Sequence, residues 1–197
     1  MQHPHARIPA AALAALTLLA LKPGPGPAGT PAAWHPAHEV TLTLPGEPGR
    51  PFVLDGRVVG AADSVPLRGV HVHFYHADAH GHYSEKRDEP PRLAGDLVSG
   101  AHGEYRVRTV LPGMYDGMPH VHIAVIDGNG ISTFLILTLC RLHGPGSDSV
   151  YATLPNYPRL PASDHQLHFA NVEPADGGGF VCHWDLPAPS TAGTPAR

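Results

Sequence analysis

Short apolar segments separated by turn residues follow one another along the chain from about residue 40 onward. Val, Leu, Phe and Tyr dominate these segments, and Gly, Pro, Asp or Asn stands between them. Such segments are typical of β-strands, and no stretch with a helical period follows Leu21. The pattern therefore predicts a mainly β fold, an antiparallel β-sandwich. The segments that we predict as strands are Thr41–Leu44, Phe52–Val59, Val70–His76, Tyr105–Val110, His120–Ile126, Ser132–Leu139, Leu167–Ala170 and Phe180–Trp184.

Residues 1–35 lack this pattern and are rich in Ala, Pro and Gly instead. The uncharged apolar run from Ile8 to Leu21 is too short to span a bilayer comfortably, but it suits a signal peptide. We therefore predict a signal peptide and linker over 1–35, a β-sandwich domain over 36–186 and a disordered tail over 187–197. A secreted or periplasmic location is expected, with a cytoplasmic protein as the alternative.

The composition supports a turn-rich β protein, with 23 Pro, 22 Gly and only 15% charged residues. A net charge of −4 with 13 Lys and Arg residues offers no basic surface for a phosphate backbone, so nucleic acid is excluded as a partner. No membrane span is expected in the mature chain, and a homo-oligomer remains open. In an exported chain Cys140 and Cys182 can form a disulfide, and two unrelated buried thiols are the equal alternative.

Histidine is the compositional outlier, with 16 residues. His120 and His122 stand two positions apart in a predicted strand, so both side chains project from one face, with Cα atoms roughly 6.5–7 Å apart. Two imidazoles so placed can share one metal ion. The pattern alone is weak evidence, because the chain repeats it at His71 and His73.

Two tyrosines make the His120 pair more informative. Tyr115 lies in a Gly- and Pro-rich turn shortly before the pair, and Tyr83 lies in a loop after the predicted strand Val70–His76. A phenol has an unperturbed pKa of about 10, so a tyrosinate ligand at neutral pH requires a strongly acidic cation. Ferric iron meets this requirement, whereas zinc prefers His, Cys or carboxylate. Taken singly, each tyrosine is also compatible with an amphipathic surface position.

Four blocks of the sequence, in order, resemble the intradiol ring-cleavage dioxygenase family. The blocks are Gly69–Ser84 with its Gly81-His82-Tyr83-Ser84 ending, Leu93-Ala94-Gly95, Gly103–Tyr115 and Pro119-His120-Val121-His122. The similarity covers about residues 50–140 and is closest to the secreted, single-domain branch of the family. It implies a β-sandwich catalytic core with an Fe(3+) cofactor held by Tyr83, Tyr115, His120 and His122.

The resemblance also implies a reaction, in which O2 cleaves a catechol-type ring between its two hydroxylated carbons and gives a muconate-type product. Small aromatic diols and O2 are the implied partners. Tyr115 would accept a proton as the substrate displaces it from iron, and Arg108 stands where the family often has an arginine, so both are candidate catalytic residues. Tyr75 is a candidate pocket aromatic. Met118 occupies the region where the family commonly has an arginine, and is a candidate substrate contact.

Three further expectations accompany the resemblance. The run Thr133–Thr138 departs from the family pattern and is predicted to be a core strand rather than a substrate contact. His71, His73 and His76 are interpreted as sandwich-face or surface residues rather than a second metal site. Two other classes stay open: a non-catalytic sandwich module of transthyretin-like or carbohydrate-binding type, and a His-rich metal-binding protein.

Overall fold

The structure is a computed structural model that describes residues 38–86, 88–127, 130–141, 154 and 167–196. The chain divides into two units, Met1–Trp34 and His35–Arg197, and all described residues belong to the second. The predicted signal segment Ile8–Leu21 lies outside the described residues. Among the described residues, no helix has the length and apolarity needed to cross a membrane.

The described part of the chain contains thirteen β-strands and one short 3-10 helix, so the prediction of a mainly β fold is confirmed. In chain order the elements are β1 (Glu39–Thr41), β2 (Pro51–Gly60), β3 (Leu67–Arg68), β4 (His71–His76), β5 (Leu93–Val98), β6 (Glu104–Val110), β7 (His120–Asp127), β8 (Gly130–Cys140), β9 (Leu167–Asn171), β10 (Glu173–Ala175), β11 (Gly179–His183), β12 (Leu186–Ala188), the 3-10 helix Ser190–Ala192 and β13 (Thr194–Pro195).

These strands form two main sheets and a small ribbon. Sheet I has the order β1-β6-β2-β11-β10, and β12 also pairs with β2. Sheet II has the order β5-β4-β7-β8-β9, and β3 pairs with β13 in the ribbon. The sheets are mixed rather than antiparallel throughout, because β1 runs parallel to β6, β11 and β12 run parallel to β2, and β9 runs parallel to β8. Alternation along a strand fixes its faces but not its direction, which is why the sequence did not show this.

The hydrophobic core lies between the two sheets. In β4 the buried positions alternate with half-buried ones, so Val72 and Phe74 face the core while Tyr75 faces outward. The Phe74 ring stacks on the Tyr105 ring of sheet I with 5.7 Å between centroids. In β7, Val121, like Ile123 and Val125, is buried in the same core. Because successive strand residues alternate, the opposite face of sheet II is left to the polar residues of these strands.

His76 belongs to the core rather than to the surface. It is fully buried and follows the core alternation of β4. One ring nitrogen lies 2.7 Å from the Ala77 carbonyl and the other lies 2.7 Å from the Thr109 hydroxyl. Burial lowers the pKa of His76 to about 4, so the ring is neutral. Of the two alternatives for His76, sandwich face or surface, the structure therefore shows the sandwich face, and the two hydrogen bonds explain how a histidine is accommodated there.

Residues 187–196 of the tail form regular structure, which contradicts the predicted disorder of 187–197 for the described residues. Strand β12 pairs with β2, and β13 pairs with β3. Leu186 and Ala188 are buried, and the Ala188 carbonyl accepts a hydrogen bond from Ala61 N–H at 2.9 Å. Small residues in a Pro- and Ala-rich sequence suggested disorder, but here they pack closely beside β2.

Both cysteines are buried free thiols. Cys140 lies in β8 of sheet II, and its Sγ donates to the Ala170 carbonyl at 3.2 Å. Burial raises the thiol pKa to about 11 for Cys140 and to about 12 for Cys182. The alternative of two buried thiols therefore describes this structure, and the disulfide does not.

Candidate metal centre

The candidate site lies on the outward face of sheet II, where β7 begins. His120 and His122 project from this face because the residue between them, Val121, points into the core. The cross-strand partners of His122 are Tyr75 on β4 and Ile136 on β8. The two histidines are thus held in the middle of the sheet, which fixes their backbone positions.

Three donor atoms from three side chains converge at this point. The Tyr83 Oη lies 2.9 Å from His120 Nε2 and 2.8 Å from His122 Nε2. The two Nε2 atoms lie 3.1 Å apart. The sequence predicted this grouping, and the three atoms form a nearly equilateral triangle.

All three groups can present lone pairs to the centre of this triangle, His122 when its proton is on Nδ1. His120 Nδ1 lies 2.9 Å from the Met118 carbonyl and must donate to it, which leaves a lone pair on His120 Nε2. The single Tyr83 hydroxyl proton can serve only one of the two imidazoles. Lone pairs that face each other at such distances are stabilised by a cation, and ligands about 3 Å apart suit a first-row metal with bonds of about 2.0–2.2 Å. Tyr83, His120 and His122 therefore fit a metal ion.

The electrostatics of the site favour a strongly acidic cation. Burial, followed by the neighbouring Tyr75, Tyr115 and Asp116, raises the Tyr83 pKa well above its usual value. Burial also lowers the pKa of His122 to about 3, with smaller contributions from neighbouring histidines. Among the described residues no cluster of three or more His, Cys, Asp or Glu side chains forms a metal site. A phenol and two neutral imidazoles remain as donors, and ionising the phenol calls for a cation such as ferric iron.

Tyr115 lies at the edge of the triangle rather than in it. Its ring centroid is 4.9 Å from that of Tyr83 and 6.2 Å from that of His120. The residue is 42% exposed. Three of the four predicted ligands therefore converge, and the fourth stands beside them at the solvent side of the site.

A two-residue turn sets the position of Tyr115. Tyr115 and Met118 exchange backbone hydrogen bonds of 3.2 and 3.1 Å across Asp116 and Gly117. Both turn residues have positive φ, 50° and 82°, as a type I′ turn requires. The short spacing between Tyr115 and His120 is the direct consequence of this tight hairpin.

The loop that carries Tyr83 is held by Asp78. One carboxylate oxygen of Asp78 accepts the backbone N–H groups of His80 and His82 at 2.9 and 3.0 Å. The other oxygen lies 3.3 Å from the Arg92 guanidinium. Burial alone would raise the pKa of Asp78, but the hydrogen bonds from His82 and His80, with Arg92 nearby, outweigh it and lower the pKa. Asp78 is thus ionised at neutral pH and fixes the turn that leads to Tyr83.

Two glycines let the two tyrosine-bearing loops pack backbone on backbone. A Cβ added at Gly81 would lie 2.3 Å from the Met114 carbonyl oxygen, and one at Gly113 would lie 2.5 Å from the Gly81 nitrogen. The Gly113 N–H also donates to the Asp78 carbonyl at 2.8 Å. No side chain is accommodated at either glycine without displacing backbone. This close approach brings Tyr83 and Tyr115 together.

The predicted substrate contacts, Tyr75 and Met118, both lie beside the cluster. The Tyr75 ring stacks on the His122 ring with 4.5 Å between centroids and 13° between planes. Met118 contributes its carbonyl to His120, and its sulfur lies 4.0 Å from the Thr138 hydroxyl. Their positions are compatible with substrate contact, which stays a prediction.

Arg108 does not join the cluster. Its neighbours on β6, Val107 and Thr109, are buried, so Arg108 points to the outer face of sheet I. There its half-exposed guanidinium forms an ion pair with Glu39 of β1. This placement argues against the predicted catalytic role, because the outer face of sheet I is not the face on which the candidate ligands lie.

Phe134 was missed as a neighbour of the site. The Thr133–Thr138 run was predicted to be a core strand, and it lies in β8 with Leu135 and Leu137 in the hydrophobic core. Phe134 faces the other way and its ring centroid lies 5.5 Å from that of His122. The sequence signal that could have identified it is the period-2 alternation, which places Phe134 and Ile136 on the face of β8 opposite to the two leucines.

Comparison with known proteins identifies the family. A protein-family model described as Dioxygenase (Dioxygenase_C) matches residues 25–133. A search of curated protein sequences finds no significant match. Because the family match covers more than half of the chain, the protein belongs to this dioxygenase family, as the sequence blocks of the intradiol ring-cleavage enzymes had predicted. It is accordingly an enzyme of the intradiol ring-cleavage type.

Solved structures share the fold. The dioxygenase domain of a dioxygenase carbohydrate-binding protein fusion from Streptomyces sp. SirexAA-E has a TM-score of 0.51 and 24% identity, over 76% of this chain and 86% of that one. An intradiol ring-cleavage dioxygenase from Tetranychus urticae has a TM-score of 0.53 and 16% identity, over 76% and 85%. A catechol 1,2-dioxygenase from Acinetobacter sp. ADP1, inhibited by bound mercury, has a TM-score of 0.52 and 19% identity, over 78% and 57%. At these identities the likeness concerns the fold.

Proposed function

We propose that the protein is a ferric-iron-dependent dioxygenase that uses O2 to cleave catechol-type rings between the two hydroxylated carbons, giving muconate-type products. The observation that carries this proposal is the triangle of Tyr83 Oη, His120 Nε2 and His122 Nε2, with sides of 2.8, 2.9 and 3.1 Å. A phenol within a pair of neutral imidazoles is a donor set for a hard, strongly acidic cation. Membership in the dioxygenase family supports the same reaction class.

In this proposal Tyr83, His120 and His122 hold the iron throughout. Ferric iron, when bound, acidifies the catechol hydroxyls and draws electron density from the ring, which makes the ring reactive toward O2. The Met118 carbonyl keeps the Nδ1–H tautomer of His120, so that its Nε2 is available as a ligand. Tyr83 and His122 are half-buried, which limits the access of water to the same atoms.

Tyr115 is the residue suited to handle a proton. It stands at the edge of the three converging donors and is 42% exposed, so its phenol can leave the site without unpacking the core. As a fourth ligand it would be a tyrosinate, and on release it would take up a proton from an incoming catechol.

The substrate would rest on an aromatic and apolar face. Tyr75 and Phe134 flank His122, and Met118 lies opposite Tyr115 in the hairpin. Dispersion and stacking on such a face favour a planar ring. Met118 stands where the family commonly has an arginine, so we propose a catechol whose ring lacks a charged substituent.

The test is ferric loading followed by turnover. We expect the iron-loaded protein to absorb visible light through tyrosinate-to-iron charge transfer and to consume O2 and catechol in a one-to-one ratio. Tyr83→Phe should lose the bound iron and the absorption. Tyr105→Phe is the matched control, because it removes a tyrosine hydroxyl of sheet I that donates to the Trp184 carbonyl and does not belong to the ligand triangle. A wild-type protein that stays colourless and binds no ferric iron would refute the proposal.

We also propose export of the protein, on the pattern of the apolar run Ile8–Leu21. Expression of the full chain with a carboxyl-terminal tag, followed by N-terminal sequencing of the product, tests this. A mature N-terminus beyond Leu21 supports export, and an intact N-terminus in the cytoplasm contradicts it.

A further inference from the structure

The two candidate histidine ligands, His120 and His122, differ in the surroundings of their Nδ1 atoms. His120 Nδ1 is tied to the Met118 carbonyl at 2.9 Å. His122 Nδ1 is buried and has no hydrogen-bond partner among the residues that the structure describes. Histidines that bind metals usually donate this second N–H to an acceptor that fixes the ring. The orientation of His122 therefore needs another physical cause.

Besides the other two candidate ligands, Tyr83 and His120, two aromatic rings contact the His122 ring. Tyr75 stacks on it at 4.5 Å between centroids with planes 13° apart. Phe134 lies at 5.5 Å with planes 30° apart. The strand order β4-β7-β8 places Tyr75 and Phe134 on opposite sides of the strand that carries His122. The imidazole is thus flanked from both neighbouring strands.

The strand register explains how both rings reach His122. Tyr75 is its direct cross-strand partner. Phe134 is paired with Ala124, two residues further along the same face of β7. Because Ala124 has only a methyl group, the Phe134 ring can lean along the strand toward His122, a diagonal contact that aromatic side chains span. Ala124 itself is 3% exposed, so larger neighbours cover it.

We propose that Tyr75 and Phe134 are the positioning residues of the His122 ligand and fix the plane of its imidazole by stacking, in the role that a hydrogen-bond acceptor at Nδ1 usually has. The χ2 torsion of histidine has a broad energy minimum, so packing decides the ring plane. The ligand lone pair lies in that plane. A rotation of the ring therefore moves the lone pair away from the point shared with Tyr83 and His120.

Substitutions of Phe134 and Tyr75 can separate the effect of the aromatic ring from the effect of an apolar side chain of similar size. Phe134→Leu and Tyr75→Leu keep an apolar side chain and remove the aromatic ring, whereas Phe134→Tyr and Tyr75→Phe keep the ring. Phe52→Leu is the matched control, because Phe52 is a buried core residue of sheet I, outside the site. All five variants are compared with wild type in their unfolding midpoints, so that any general loss of stability is known.

The first measurement uses iron-free protein with isotope-labelled histidine, and it does not rest on the proposed function. The ring protons of His122, assigned by their absence in His122→Asn, should show ring-current shifts from the stacked neighbours in NMR spectra. We expect each Leu variant to reduce these ring-current shifts and to increase the motion of the His122 ring. Phe134→Tyr, Tyr75→Phe and Phe52→Leu should give spectra close to those of wild type. Unchanged shifts in both Leu variants, or an equal change in Phe52→Leu, would overturn the inference.

The second measurement rests on the proposed function and follows the loss of ferric iron to a chelator. We expect Phe134→Leu to release iron about tenfold faster, as for other residues that orient a metal ligand, and Phe134→Tyr to restore the wild-type rate. Wild-type release rates in both Leu variants would overturn the inference. If wild type binds no ferric iron, the proposed function fails, and the NMR result alone decides the role of the two rings.

Discussion

At the scale of single residues, two histidines in neighbouring strands, His76 and His120, show how the surroundings of each ring nitrogen determine its use. His76 has a partner at both nitrogens, the Ala77 carbonyl and the Thr109 hydroxyl, so neither lone pair nor proton is available to a ligand. His120 has one nitrogen bound to the Met118 carbonyl and the other directed to the donor triangle. The hydrogen-bond partners, rather than the residue type, therefore separate a structural histidine from a candidate ligand.

His76 should make the stability of the protein depend on pH. Its pKa is lowered from 6.5 to about 4 by burial, so the unfolded chain binds a proton more readily than the native one. Stability is therefore fully present above about pH 6.5 and falls as the pH drops toward 4, by about 3 kcal/mol for a shift of this size. We expect urea unfolding at pH 7 and pH 4.5 to show a smaller pH effect in His76→Gln than in wild type.

The glutamine variant keeps a polar side chain but cannot titrate, which makes it the control for lost packing. If the unfolding free energies of His76→Gln and wild type differ by the same amount at both pH values, His76 contributes packing alone. We expect this difference in unfolding free energy to shrink as the pH falls, because only the wild type loses stability through protonation of His76. Far-UV circular dichroism at each pH verifies that both proteins begin folded.

At the scale of elements, the Asp116–Gly117 hairpin connects local backbone geometry to the site. Its type I′ form demands positive φ at both central positions, and Gly117 at φ 82° accommodates this without strain. The hairpin leads directly from Tyr115 to Met118 and so to His120. A change of turn type would rotate Tyr115 relative to the other three candidate ligands.

Gly117→Ala should change the position of Tyr115 in the candidate site, although it should reduce the stability of the protein only slightly. The added methyl group meets no atom within 4 Å, so the cost comes from the left-handed conformation and is about 1 kcal/mol. Gly177→Ala is a matched control, because Gly177 has φ 78° and equally open surroundings in another turn. We expect similar losses of stability in urea, but a shift of the tyrosinate-to-iron absorption only in Gly117→Ala. Equal absorption in both variants would mean that the turn does not set the position of Tyr115.

The carboxyl-terminal elements should stabilise the sandwich. Removal of residues 187–197 takes away most of β12 and all of β13, including the buried Ala188 and its hydrogen bond to Ala61. With backbone hydrogen bonds at about 1 kcal/mol each and further loss of apolar burial, we expect a cost of roughly 2–4 kcal/mol. Urea unfolding of the truncated and full chains measures it. Identical midpoints would support the disordered tail that the composition suggested.

The sequence predicted those strands in which one face is buried in the core and the other face is more polar. In β4 and β7 the alternation is regular, so both strands and the shared face of His120 and His122 were visible. Strand β5 was missed because Gly95 and Asp96 interrupt its apolar pattern. A Cβ at Gly95 would lie 2.8 Å from the Leu42 Cδ2 atom, so a larger residue there would require the Leu42 side chain to move. Such a contact has no signature in the local sequence.

The candidate site, like the fold, could be predicted only in part. The donors Tyr83, His120 and His122 follow from motif blocks, but the contact between Phe134 and His122 depends on the register of β7 and β8. Register is determined by the turn and by the whole buried face, not by any one residue. The outward direction of Arg108 follows from the alternation of β6, in which Val107 and Thr109 are buried. That alternation was available in the sequence and outweighs the family position of the arginine.

At the scale of the whole molecule, the two sheets share one hydrophobic core. Residues of sheet I such as Phe52 and Phe180 belong to the same buried cluster as Phe74 and Ile123 of sheet II. A shared core predicts that neither sheet can open without exposing the apolar face of the other. The two cysteines provide a probe of this cooperativity, because Cys140 lies in sheet II and Cys182 in sheet I.

Both thiols should be unreactive in the native protein and become reactive together. Each is fully buried, and burial raises the pKa to about 11 for Cys140 and about 12 for Cys182, so little thiolate exists at pH 8. We expect alkylation in increasing urea, resolved by peptide mass spectrometry, to give the same midpoint for both cysteines and to match circular dichroism. Earlier labelling of Cys140 than of Cys182 would show that sheet II opens alone, and with it strand β7, which carries His120 and His122.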